Sequence, residues 1–172
     1  YLSFFDAAIR LLAQAETQPS DYAQRLSLKS ECPGLQEPRQ EYVPQLGHLQ
    51  ILREISLGKH VVFVDTREDQ EFNEVHLPGA QILRLRDVNA ESIKRFLDAD
   101  LVIPYCIKDF RGFEVAKSMK QLGVKQVATL SPNGLKGWMQ AELPVVSEER
   151  STEQHAVQAL MQCAMEPSLC LK

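Results

Sequence analysis

Leu101-Val-Ile-Pro-Tyr-Cys-Ile-Lys-Asp-Phe-Arg-Gly112 decides the fold. Leu101 to Tyr105 is a short apolar run that reads as a buried strand, with Cys106 at its carboxyl end. Past Gly112, the residues Val115, Ala116, Met119 and Leu122 recur at helical spacing. The unit is therefore strand, tight loop, helix, and in open α/β sheets chemistry collects at this edge. A thiol placed here faces the unpaired N–H groups and the positive end of a helix, which favour the nucleophilic thiolate. Successive loop N–H groups also form an anion nest. Lys108 and Arg111 add positive charge and Asp109 removes some. The loop is thus suited to a sulfur nucleophile acting on an anionic substrate. A buried structural cysteine accounts for the loop equally well at this level.

Outward from this unit, strands alternate with helices. On the amino-terminal side, Tyr42-Val43 reads as a short edge strand. Leu46, Leu49, Ile51, Leu52 and Ile55 give an amphipathic helix ending at Gly58. Val61-Val-Phe-Val64 is a buried parallel strand, and residues 68–74 form a short helical turn. Gln81 to Leu85 is a further strand, and Val88 to Leu97 a helix on Ile93, Phe96 and Leu97. On the carboxyl side, Gly123 stops the helix after the loop, and Val124 to Leu130 is the last strand. Ser131 to Trp138 turns into a short helix. The alternation implies a mostly parallel sheet with helices on both faces.

Two segments lie outside this pattern. Residues 1–40 carry a helical face of Leu2, Phe5, Ile9 and Leu12, then a mixed polar stretch with Pro19, Pro33, Gly34 and Pro38. Residues 147–172 begin with Ser151-Thr-Glu-Gln154, which has capping-box spacing. A helix with an apolar stripe of Ala156, Val157, Leu160, Met161 and Ala164 follows, ended by Pro167. The expected organisation is an N-terminal extension over 1–40, a compact domain over 41–146 and a C-terminal helical extension over 147–172, with the two extensions packed near each other.

The 172 residues carry a formal net charge of −4 and no basic block, which argues against nucleic-acid binding. No apolar stretch reaches the length of a membrane span, so no membrane partner is expected. The chain opens on Tyr1 and reads as a piece of a longer or processed protein. Leu11 to Glu16 faintly resembles the end of a secretory signal, but Asp6 and Arg10 interrupt its apolar run. The cysteines are Cys32, Cys106, Cys163 and Cys170. They have no zinc-ligand spacing, so no structural metal is expected. Cys163 and Cys170 can bridge, or either can pair with Cys32; the expectation is that all are free thiols in a reducing compartment. That goes with a cytoplasmic location, whereas a periplasmic one requires a signal upstream of Tyr1.

Five segments taken in order carry a resemblance: Val64-Asp-Thr-Arg67 with Glu71-Phe72, His76-Leu-Pro-Gly-Ala80, Tyr105-Cys106 with Arg111, Leu130 to Trp138, and Leu143-Pro-Val145. Their order and spacing resemble the single-domain rhodanese (sulfurtransferase) family over roughly residues 41–146. The resemblance implies a three-layer α/β/α fold with a five-stranded parallel sheet. It implies a persulfide on Cys106, carried in an active loop of Cys106, Ile107, Lys108, Asp109, Phe110 and Arg111. The implied activity is thiosulfate-type sulfur transfer from a small anionic donor to a thiol or protein acceptor, with no metal or organic cofactor. A related phosphatase group has one more residue between its Cys and Arg; the four here suit a sulfur atom rather than a phosphate. The alternative is a rhodanese-like binding or sensor module with little turnover. The chain departs from the family pattern at Asp109 and Val75, where Gly is common, at Gly112, where Ser is common, and at Ser131-Pro-Asn133, which replaces part of a Gly-Gly turn. The Asp109 carboxylate opposes both thiosulfate and the thiolate, so the donor stays open. Among the other residues, Asp65 and Arg67 read as forming a structural ion pair with the nearby acidic residues, His76 as capping or orienting its turn, and Trp138 as a core anchor. Phe110 either walls the pocket or is exposed.

Overall fold

The computed structural model describes residues 42–108, 110–148 and 151–171. The expected N-terminal helix, the polar stretch after it and Cys32 lie outside the described residues, as does Asp109 of the loop. In chain order the described elements are β1 (Gln45–Gly47), α1 (His48–Ser56), β2 (Val61–Asp65), α2 (Asp69–Glu74), β3 (Gln81–Ile82), β4 (Leu101–Tyr105), α3 (Phe110–Gln121), β5 (Thr129–Ser131), α4 (Gly134–Gln140) and α5 (Glu153–Met165).

All strand pairs are parallel. The expected five-stranded sheet is instead a three-stranded sheet of order β3-β2-β4 and a two-stranded sheet of β1 and β5. A single parallel bridge, Val102 to Val127, joins them. Val102 N–H donates to the Gln126 carbonyl at 2.9 Å, and Ala128 N–H to the Val102 carbonyl at 3.1 Å. One residue later, Thr129 N–H donates to the Pro44 carbonyl at 2.9 Å. The last strand thus changes partner from β4 to β1 before a ladder with β4 can extend. This also corrects its length, from Val124–Leu130 to three residues.

The strand period of two sorts side chains into two cores. Phe63 of β2 with Leu101, Ile103 and Tyr105 of β4 face α1, α4 and α5. Val62, Val64 and Val102 face Val115, Ala116 and Met119 of α3, together with Ile93 and Phe96. Helices cover both faces, as the alternation requires. Trp138 is fully buried, donates Nε1–H to the Pro144 carbonyl at 2.9 Å, and meets Phe63 and His48 edge-on. It is a core anchor.

Other expectations are corrected. The edge strand lies at Gln45–Gly47 rather than Tyr42-Val43. The strand expected over Gln81–Leu85 keeps only two residues. The helix expected over Val88–Leu97 is a turn with a single 3-10 element, Lys94–Phe96. There the Asn89 side chain accepts the N–H groups of Glu91 and Ser92 at 2.9 and 3.0 Å, a local alternative to helical pairing. The capping box at Ser151 does not form. Thr152 is the N-cap of α5 without a side-chain cap bond, and its hydroxyl lies 3.2 Å from His155 Nδ1. Cys163 and Cys170 are joined in a disulfide, with Cα atoms 5.5 Å apart, so the free-thiol expectation fails for both. Such a bridge persists only where its surroundings do not reduce it.

Buried polar contacts tie these layers together. Arg67 Nε and Nη2 bind the Asp65 carboxylate at 2.7–3.2 Å, with Asp65 and Arg67 both buried, and Nη2 also donates to the Val75 carbonyl. The expected ion pair is present, between these two residues. Val75 has φ −162°, ordinary extended backbone, so the family glycine is not needed there. Asn133 supplies the left-handed conformation of the β5–α4 turn, with φ 55°, a conformation Asn tolerates. His76 orients its turn and does more. Its ring stacks on Phe72 at 3.9 Å, Nδ1 lies 2.8 Å from the Phe72 carbonyl, and Nε2 lies 3.1 Å from Glu153 at the start of α5.

His48 Nε2 is buried with no partner, and burial lowers the His48 pKa below 6.5. The folded protein then takes up this proton less readily than the unfolded chain. The associated stability is fully present above pH 6.5 and falls as pH drops below it. In thermal melts across that range, His48→Phe is expected to lose less stability on acidification than the wild type. Parallel losses in the two proteins would rule out His48 as a source.

Gly112 decides how closely α3 approaches β4. A Cβ there would stand 2.9 Å from the Pro104 carbonyl oxygen and 2.9 Å from Tyr105 Cα, both backbone atoms. Helix propensity favours Ala over Gly by roughly 1 kcal/mol, whereas overpacking against backbone costs about 1–3 kcal/mol. Gly112→Ala should therefore be destabilising in urea unfolding; a stabilised variant would show that the contact is not tight.

Candidate active site

The loop after β4 is held on two sides. β4 is buried along its whole length. The Tyr105 carbonyl accepts the Thr66 N–H at 3.0 Å and the Thr66 hydroxyl at 2.9 Å. The next two carbonyls, of Cys106 and Ile107, accept the N–H groups of Leu135 and Lys136 at 2.9 and 3.1 Å. The end of β2 and the first turn of α4 thus fix three successive peptide units. With those carbonyls engaged, the loop presents Cys106 at the strand end and leads directly into α3.

Cys106 is a free thiol and 3% exposed, so it sits at the floor of the site rather than on the surface. Ile107 packs against the core beneath it. Lys108 is exposed. Phe110, the first residue of α3, is 76% exposed. Arg111 lies in the first turn of α3 and is part-buried. Asp109 is the one loop residue outside the description.

The structure brings Cys106 and Arg111 together and adds Glu71 of the Val64–Phe72 segment. Glu71 of α2 receives Arg111 Nη1 on Oε2 and Nη2 on Oε1, both at 3.2 Å. Glu71 Oε2 also accepts the Glu68 N–H at 3.2 Å. The Glu68-x-x-Glu71 spacing is that of a capping box and was the available signal. The Arg111 hydrogen bond holds the Glu71 carboxyl below its usual range. In turn Glu71, and then the Cys106 thiol, raise the Arg111 pKa. Beneath the loop, burial, followed by the Asp65 carboxylate, pushes the Tyr105 phenol well above its ordinary pKa. Tyr105 is neutral, and its hydroxyl accepts the Leu77 N–H at 3.1 Å.

Chemically, this is a protected thiol at a strand end, beside a guanidinium and a helix N-terminus. The arrangement suits nucleophilic attack and stabilisation of a small anion. Among the described residues no cluster of His, Cys, Asp and Glu has the geometry to hold a metal ion. A cleft of about 780 Å³ is lined by Gln70, Asn73 and Glu74 of α2 and by Met139 and Ser147. Cys106 is not part of its lining.

The model of the rhodanese-like domain family matches residues 49–141. Among solved structures, a Bacillus halodurans protein aligns at 20% identity with a TM-score of 0.54, covering 75% of this chain and 87% of its own. A rhodanese-related protein from Thermoplasma volcanium aligns at 17% identity and a TM-score of 0.53, over 62% of this chain and all of its own. The thiosulfate sulfurtransferase of Pseudomonas aeruginosa aligns at 21% identity and a TM-score of 0.54, over 61% of this chain but only 20% of that one. At these identities the likeness concerns the fold. No curated protein matches the chain. With the family model spanning more than half of the sequence, on the strand–loop–helix frame that holds Cys106 and Arg111, the chain belongs to the family of rhodanese-like domains.

Proposed function

We propose that this protein is a sulfurtransferase that moves a sulfane sulfur from a small anionic donor to a thiophilic acceptor through a persulfide on Cys106. The observation that carries this reading is the free thiol of Cys106 at the carboxyl end of β4, beside Arg111 in the first turn of α3. Family membership supports it, as does the likeness in fold to a thiosulfate sulfurtransferase.

The reaction is two displacements. The Cys106 thiolate attacks the outer sulfur of a thiosulfate-type donor; the S–S bond of the donor breaks and sulfite leaves with the electron pair. The product is a Cys106 persulfide, held by loop N–H groups and by the positive charge of Arg111, with Lys108 at the rim. A thiol or protein acceptor, or cyanide in an assay, then attacks the terminal sulfur, and the Cys106 thiolate departs with the bonding pair. No cofactor enters either step.

A second reading, a binding or sensor module with little turnover, draws on two observations: the slight exposure of Cys106 and the pairing of Arg111 with Glu71. Thiocyanate formation from thiosulfate and cyanide separates the two. The wild type is expected to turn over and Cys106→Ser to be inactive with an unchanged far-UV circular dichroism spectrum. A variant that retains activity would sink the persulfide mechanism. Hydrolysis of an aryl phosphate by the wild type would instead favour a phosphatase, against the four-residue spacing of the loop.

Arg111→Ala tests donor binding. The Arg111–Glu71 pair is about a third exposed on both sides, so its loss should cost at most about 1 kcal/mol of stability. KM for thiosulfate should rise by about fivefold or more, equivalent to about 1 kcal/mol of lost binding. An unchanged KM would remove Arg111 from donor recognition.

A further inference from the structure

Arg111 is the cation that the loop places beside the thiol, and the structure does not leave it free. Both of its terminal nitrogens face the Glu71 carboxylate at 3.2 Å. This is the bidentate arrangement by which a guanidinium takes hold of an oxyanion. The carboxylate is also held by the N–H of Glu68, the N-cap of its own helix, so it is not a chance surface partner. Both side chains are just over a third exposed, 36% for Arg111 and 37% for Glu71, so a solute that reaches Arg111 meets Glu71 as well. A donor bearing two negative charges must therefore displace Glu71 from Arg111 or bind against its charge. A donor of lower charge meets a smaller penalty.

On the reading of Cys106 as the sulfur-transferring nucleophile, we propose that Glu71 is a positioning residue acting as the resident counter-ion of Arg111. It sets the donor specificity of the site by disfavouring dianionic sulfur donors relative to those carrying a single negative charge. The residue acts through Arg111 and takes no part in bond making. With either donor the Cys106 thiolate attacks the outer sulfur. The S–S bond breaks, and sulfite from thiosulfate, or a sulfinate from an alkanethiosulfonate, leaves with the electron pair.

The test uses the full chain with Glu71→Gln, which keeps the shape of the side chain and removes its charge, and Glu71→Asp, which keeps the charge. Thiosulfate and methanethiosulfonate form a donor pair that differs in charge. The rates of Cys106 alkylation by iodoacetate and by iodoacetamide form a second pair that needs no sulfur transfer. In Glu71→Gln, KM for thiosulfate should fall by about fivefold, with a smaller change for methanethiosulfonate and kcat within about twofold. The iodoacetate-to-iodoacetamide rate ratio should rise by a similar factor. Glu71→Asp should stay near the wild type in both readouts. A Glu71→Gln variant whose alkylation ratio is unchanged overturns the proposal. If that ratio rises while no variant transfers sulfur from either donor, the counter-ion role stands and the sulfurtransferase reading fails.

Discussion

The contact on which the rest of the structure depends is the bare backbone of Gly112 against Pro104 and Tyr105. It lets the first turn of α3 lie directly on the carboxyl end of β4. Cys106 and Arg111, five positions apart in the chain, flank this contact and share one site. Through Val115, Ala116 and Met119 the same approach closes the core on one face of the sheet. The family pattern often places Ser at this position. Here a Cβ would press on backbone rather than on a side chain able to move aside, which accounts for the departure.

The polar interactions divide by burial. The Asp65–Arg67 pair is almost entirely shielded, and removing one partner of such a pair costs about 3–5 kcal/mol because the other charge is left buried and unpaired. Through the Val75 carbonyl it also fixes the turn that leads to His76 and Leu77. The Leu77 N–H then reaches the Tyr105 hydroxyl below the loop. The network of Arg84 and Arg86 with Glu68, Asp69 and Asp87 is more exposed, where water screens each pair and little stability depends on it. The scaffold under Cys106 rests on the first set.

The Arg111–Glu71 pair belongs with the exposed set in energy but with the site in position. A pair that contributes little to stability has room to be shaped by binding. Because Glu71 stands on α2, the electrostatics of the Cys106 loop depend on a helix that follows a different strand. The C-terminal helix is likewise bound to this half of the molecule. Glu153 of α5 meets His76 Nε2 and accepts the Gly79 N–H, while Leu160, Cys163 and Ala164 join the core beside Ile51, Leu52 and Ile55.

How much of this could be read along the chain follows the range of the forces involved. Apolar runs and helical spacing depend on neighbours in sequence, so β2, β4, α1 and α3 are readable from it, as are the parallel alternation and the place of Cys106 at a strand end. The identity of Trp138 as a core anchor is equally local, since a ring of that size rarely has another home. The rest is decided by competition between alternative partners, some local and some distant in sequence, which the pattern along the chain does not rank. The last strand divides its pairing between Val102 and Pro44. The segment around Asn89 gives up a helix to side-chain hydrogen bonds, although its apolar residues are spaced for one. Cys163 joins Cys170 because a helix end and the turn after Pro167 bring their Cα atoms within reach. Arg111 meets Glu71, forty positions away, because two parallel strands bring the segments that follow them within reach of each other. Sequence patterns record what a residue is; which charge it faces is set only when the sheet forms.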